Sequence, residues 1–258
     1  MKTIDKYAYY SPLRQFQPTQ KVLLGLMVLF TCIIGNSPLL SFTILILMTY
    51  LILNKGCIPF KVYSLLMAMP FTFLLLSLLP LLLEFSTEPD FFVWSIHMFH
   101  GYVGISDINI GLCLNLFLKA FASVSCLYFI CLTTPITDIL RVFEKWHFPL
   151  LLVEMMALIY RFIFIIIDTA FTMYEAQTSR LGYVNFRLGI RSFGILLSSL
   201  FVRTLKINSA LYTSLECRGY RGSLNVLHED QYKNFPYIYI LAIEGILIII
   251  LILEKTLL

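Results

Sequence analysis

Two arginines, Arg180 and Arg218, stand at the ends of long amphipathic stretches, and each is followed within two residues by a glycine, Gly182 and Gly219. The first lies in Ala176-Gln177-Thr178-Ser179-Arg180-Leu181-Gly182-Tyr183 and the second in Cys217-Arg218-Gly219-Tyr220-Arg221-Gly222. A guanidinium is a permanently charged, planar fork of donors, so at a helix end it suits stiff bidentate contact with carboxylates or backbone acceptors. The pattern also has a local explanation. A cation favours the negative end of the helix dipole, and glycine takes the left-handed residue that closes a helix. Its occurrence at two helix ends favours docking over two separate caps.

Other residues offer less chemistry. His97-Met98-Phe99-His100 places two imidazoles at i, i+3, a spacing that can serve one metal ion. No third ligand is positioned by the sequence, so His97 and His100 read as surface or interface histidines beside Trp94 and Phe99. There is no GxxxxGK[ST] loop, no GxSxG and no HExxH. The chain therefore reads as a non-catalytic protein with no cofactor of its own, and any nucleotide would be held by a partner. The six cysteines lie scattered in apolar context without ligand spacing and are expected to act as small core hydrophobes.

The elements that must carry these residues are membrane elements. Of 258 residues, 59% are hydrophobic and only 13% charged, with a mean hydropathy of +0.84. Ordinary globular domains carry about 25% charged residues. The composition predicts an all-α integral membrane protein. Val22–Ile34 and Leu39–Leu53, separated by the turn signal Gly35-Asn36-Ser37-Pro38, read as a helical hairpin. The first run lacks a small-residue cleavage pattern and is not expected to be a signal peptide. Val62–Leu83, Ile110–Leu132 and Phe235–Leu253 complete five expected spans across a core of about 30 Å.

Leu150–Met173 is equally apolar, but Glu154, Arg161, Asp168 and, just beyond it, Glu175 stand at seven-residue spacing. Seven residues turn a helix by about 700°, which returns to nearly the same face. A polar stripe of this kind belongs at an interface or beneath the membrane rather than in lipid. Seventeen of the nineteen basic residues fall in the N-terminal tail, the 54–61 turn and residues 133–233, whereas 84–109 holds four acids and no Lys or Arg. The positive-inside rule then places the N-terminus inside, 84–109 outside, and 150–173 on the cytoplasmic side without crossing.

The expected organisation is a tail with four transmembrane helices over residues 1–133, a cytoplasmic region of long crossing coupling helices over 134–233, and a last transmembrane helix over 234–258. Within the middle region one helix is expected from Pro149 to Arg180 and another over Phe186–Arg218. Two charges lie inside spans. Lys119 and Glu244 are each nine residues into their helices, about 13 Å deep and near the midplane. Opposite charges at equal depth are expected to pair, unless each is solvated separately or Glu244 is protonated.

Several stretches together resemble a known family. Ile4-Asp5-Lys6-Tyr7-Ala8-Tyr9 with Ser11-Pro12-Leu13-Arg14, Leu132-Thr133-Thr134-Pro135, Tyr160-Arg161-Phe162 and the two arginine stretches look, in order and over nearly the whole chain, like the transmembrane T component of energy-coupling factor transporters. They are most similar to its cobalt-type branch, CbiQ. The resemblance implies a multi-pass subunit in the plasma membrane of a prokaryote. It implies two cytoplasmic ABC-type ATPase subunits that bind ATP and Mg, and a metal-capturing membrane subunit as partners. Cobalt or nickel would be the cargo, with a role in cobalamin biosynthesis, and a vitamin-type shared module is the alternative; an intramembrane enzyme is a remote one. No nucleic acid is implied. Arg180 and Arg218 would enter grooves on the two ATPases. Ser179 and Cys217 stand where the family usually has alanine, and Leu181 separates Arg180 from Gly182.

Overall fold

The structure is a computed structural model that describes residues 2–82, 84–86, 94–98, 101–105, 107–219, 232 and 237–257, the side chains of 2–4, 84–108, 237–240 and 255–257 excepted. Helices dominate. In chain order they are α1 (Lys2–Tyr10), a 3-10 turn (Pro12–Gln15), α2 (Pro18–Ile34), α3 (Pro38–Tyr50) continued by a π turn (Leu51–Lys55), and α4 (Phe60–Leu82). They continue as α5 (Asp107–Thr133), α6 (Ile136–Lys145), α7 (Leu150–Ser179), α8 (Phe186–Cys217) and α9 (Tyr237–Leu257). Between α4 and α5 lies a feature that the apolar periodicity did not announce. Strands β1 (Glu84–Ser86), β2 (Trp94–Met98) and β3 (Gly101–Ile105) form an antiparallel sheet in the order β1-β3-β2. Backbone groups outside helices need partners, and this short three-stranded sheet supplies them within the segment itself.

The chain forms two compact units: residues 1–142 with 230–258, and residues 143–229. In the first, α5 packs against α1, α2, α3 and α4, and α9 packs on α2 and α3. Leu40, Ile44, Met48 and Ile52 recur every four residues and are wholly buried, so one face of α3 and its π turn forms a continuous seam. Val28, Cys32, Ala122, Cys126, Leu132 and Leu247 close the same cluster. Gly25 lets α2 approach α5, since a Cβ there would fall 2.6 Å from Ile130. Against α4, Phe71 meets Phe117 and Phe121 edge-on at 5.8 and 6.2 Å. The cysteines divide evenly. Cys32, Cys113 and Cys126 are buried, while Cys57, Cys131 and Cys217 are exposed, and all six are free.

Five helical segments among the described residues are long and apolar enough to span a membrane: 38–55, α4, α5, α7 and α8. The membership differs from that expected from the sequence, and the expected last span lies on α9, whose side chains are described only over 241–254. α2 falls short at seventeen residues, and α7 and α8 qualify despite their charges. The second unit is a pair of long helices, α7 and α8, packed on each other. Arg161, Asp168 and Glu175 are exposed on α7, as the seven-residue stripe requires, whereas Glu154 is buried.

Candidate functional site

The end of α7 is built by local hydrogen bonds. Gly182 N–H donates to Gln177 O and Leu181 N–H to Thr178 O, both at 2.9 Å. This pair of bonds is the Schellman closure, which satisfies carbonyls that the last helical turn leaves open. The closure needs a left-handed residue after the cap, and Leu181 takes it with φ +59. A Cβ makes that conformation costly by about 1–2 kcal/mol, so the surroundings must hold it. They do so closely. Ser192 Oγ donates to Gly182 O at 2.8 Å, and the Tyr183 hydroxyl donates to Gln177 Oε1 at 2.7 Å. The Tyr183 ring lies 4.9 Å from Tyr174. A Cβ on Gly182 would fall 2.9 Å from both Gln177 O and Ser192 Oγ. Glycine is therefore required there for space rather than for a positive φ.

α8 ends in the same way. Arg218 is the cap with φ −88 and ψ 5, close to the −93 and 15 of Arg180. Gly219 N–H donates to Glu216 O at 2.9 Å, and Gly219 takes the left-handed position with φ +80. Position for position, Leu181 corresponds to Gly219, not Gly182. The intervening residue that separates Arg180 from its glycine in the sequence thus occupies the place of a cap glycine in space. Both arginines are exposed, and among the described residues neither guanidinium is engaged in a hydrogen bond or ion pair. Two fixed backbone ends each hold out an open fork of donors, able to take an acidic or carbonyl-lined groove. Arg221 and Gly222 lie outside the described residues.

The remaining sequence candidates are placed apart from these ends. The His97 backbone lies in β2 opposite Tyr102; His100 lies outside the described residues. Among the described residues no group of three metal-binding side chains occurs. The structure does not join Lys119 to Glu244 in an ion pair. Glu244 is buried with no hydrogen-bond partner for Oε1, whereas Lys119 is half-buried on α5. Equal depth in a membrane says nothing about direction around a helix, and α9 packs mainly on α2 and α3 rather than on α5.

The family model described as CbiQ, cobalt transport protein, matches residues 10–228. This chain belongs to the CbiQ family. It is 31% identical over 248 residues to an uncharacterized protein of Methanocaldococcus jannaschii, covering 96% of this chain and 91% of that protein. It is 30% identical over 231 residues to a putative fused cobalt transport protein, CbiMQ, of Methanocorpusculum labreanum, covering 88% of this chain and 38% of that longer protein. Against the cobalt transport protein CbiQ of Salmonella typhimurium it is 29% identical over 160 residues, 62% of this chain and 71% of the relative. Membership makes it a membrane component of the cobalt transport family.

In this CbiQ-family chain the first unit also holds a polar cluster that sequence reasoning missed. Lys21, counted in the sequence only as a tail cation, is buried, and its Nζ donates to Leu13 O at 3.0 Å and to Thr133 O at 3.1 Å. One ammonium thus closes both the turn after α1 and the end of α5. Asp138 on α6 is buried as well. Its Oδ1 accepts from the Tyr232 hydroxyl at 3.1 Å and lies 3.7 Å from Arg141 Nη1, with Lys21 attracting it at longer range. Arg14 sits over the Tyr9 ring at 5.0 Å, and Tyr9 meets Thr137 at 3.3 Å. The signal in the sequence was Thr133-Thr134-Pro135, all three buried. A run of small polar residues at a helix junction leaves carbonyls that something must satisfy.

Proposed function

We propose that this chain is the transmembrane coupling subunit of an ATP-driven importer of the energy-coupling factor type, with cobalt as its cargo. Two cytoplasmic ABC-type ATPase subunits would dock on Arg180 and Arg218, and a substrate-capturing membrane subunit would receive the motion. The observation that carries this reading is the matching geometry of the two helix ends, each with an exposed arginine at the cap and a left-handed residue after it. Both helix ends are closed by backbone bonds, so each arginine is presented from an ordered helix terminus. The fused relative supports a membrane partner, since there a related chain is continuous with a second part of the protein. The basic tail and the basic middle region support a cytoplasmic N-terminus, with α7 and α8 on the cytoplasmic side.

Co-purification and uptake test the proposal together. The wild-type chain should bring down two ATPase chains and support cobalt uptake in vesicles. Arg180→Ala combined with Arg218→Ala should insert normally, lose ATPase association and lose uptake by more than about tenfold, the scale of one lost charge-assisted contact per site. If the double variant takes up cobalt at the wild-type rate, the two ends are merely helix caps.

A further inference from the structure

The chain leaves the first unit after Val142 and rejoins it at Asp230. Within that first unit, three side chains sit immediately beside those two crossing points. Asp138 and Arg141 lie on α6, just before the exit, and Tyr232 lies just after the return. The Tyr232 hydroxyl donates to Asp138 Oδ1 at 3.1 Å and accepts from Arg141 Nη1. The Arg141 guanidinium also lies 5.8 Å from the centre of the Tyr232 ring. One phenol is therefore donor, acceptor and ring partner at once, which fixes its place better than a single contact would. Partial burial, and the Asp138 charge after it, push the Tyr232 phenol above its ordinary range, so the donor proton stays on oxygen at neutral pH. Asp138 is itself held by buried surroundings in which Lys21, already fastened to Leu13 and Thr133, attracts it. Tyr232 is thus tied to α6 through one buried carboxylate and one guanidinium.

We propose that Tyr232 is a positioning residue for coupling: held between Asp138 and Arg141, it fastens the returning chain to the helix by which the chain departed, so that residues 143–229 pull on one anchored base. The inference rests on the coupling reading above. Without the fastening, the two crossing segments would move independently, and displacement at Arg180 and Arg218 would be absorbed in the connections instead of reaching α5 and α9. Loss of the clamp should uncouple ATP hydrolysis from transport without disturbing docking, because the hydroxyl removed takes no part in the closure of either arginine-bearing helix end.

The test uses the assembled complex in vesicles. Tyr232→Phe removes only the hydroxyl. Insertion, ATPase association and ATP hydrolysis should stay within twofold of wild type, while cobalt uptake falls about tenfold, so that more ATP is consumed per ion. In Arg141→Cys combined with Tyr232→Cys, bridging the thiols with a short bis-methanethiosulfonate, which forms a mixed disulfide with each cysteine and releases sulfinate, should restore uptake to within twofold of wild type, and reduction should abolish the rescue. Unchanged uptake in Tyr232→Phe, a drop in inserted protein that accounts for the lost uptake, or a bridged variant no better than the reduced one would each overturn the proposal. Absence of ATPase chains from the wild-type preparation would overturn the coupling reading and this inference with it. Normal ATPase association with normal uptake in Tyr232→Phe would overturn the clamp alone.

Discussion

Residues 1–142 with 230–258 and residues 143–229 are both helical and both apolar, yet among the described residues only the first buries a core of its own. In the first unit nineteen apolar residues among those described, from Leu13 in the 3-10 turn to Leu247 in α9, form one buried cluster. In the second, the buried residues among those described are Val153, Glu154, Ser192 and Leu196, and Phe186 remains 88% exposed. The difference separates two ways of being rigid. The first unit is held by packing between several helices, where each buried side chain touches others on every side. The second has two long helices and little shared interior, so its order rests on backbone closure at the helix ends and on a few polar ties around Gly182. Its apolar side chains, Phe186, Phe193 and Phe201 among them, stay exposed instead of closing a shared interior.

The comparison is broken most readily in the core. Ile44→Ala removes a wholly buried side chain and should cost about 2–5 kcal/mol, seen as loss of monodisperse protein in detergent on heating. Phe193→Ala, on an exposed face of α8, should leave thermal stability within about 0.5 kcal/mol. Equal destabilisation by the two would mean that the second unit has a core after all. At the ends of the long helices the effects are smaller. Gly182→Ala should loosen the α7 end by about 1–3 kcal/mol, since the new methyl group would meet Gln177 O and Ser192 Oγ. Gly219→Ala has open space around it and should cost only about 1 kcal/mol, through its positive φ. Amide hydrogen exchange over 174–192 and 210–219 separates the two. The smallest effect sharpens the comparison in the other direction. Leu181→Gly should slow exchange at the α7 end by up to about fivefold, as the strain of a branched side chain at φ +59 is relieved by about 1 kcal/mol. If that variant also loses ATPase association, the exposed Leu181 side chain is itself part of the docking surface.

Helix boundaries were legible in the chain because their causes are local. Pro18 and Pro38 start helices, and the Gly35-Asn36-Ser37-Pro38 turn separates α2 from α3 where the apolar runs break. The helix expected from Pro149 to Arg180 appears as Leu150–Ser179, and that expected over Phe186–Arg218 appears as Phe186–Cys217. The polar stripe of α7 followed from seven-residue spacing, apart from Glu154. The two arginine caps were legible for the same reason, since a cation followed by glycine is a short-range signal. Membership of Leu181 in the cap was not, because a leucine is held left-handed only by Tyr183, Ser192 and Gln177 around it. Nor was the direction of Lys119 and Glu244, since depth along a helix is set by sequence while azimuth is set by the neighbour it packs against. The burial of Lys21 and the meeting of Asp138 with Tyr232, ninety-four residues apart, depended on the tertiary structure for the same physical reason. Composition and periodicity determine what a segment becomes, and long-range packing decides which polar groups must satisfy one another once water is gone.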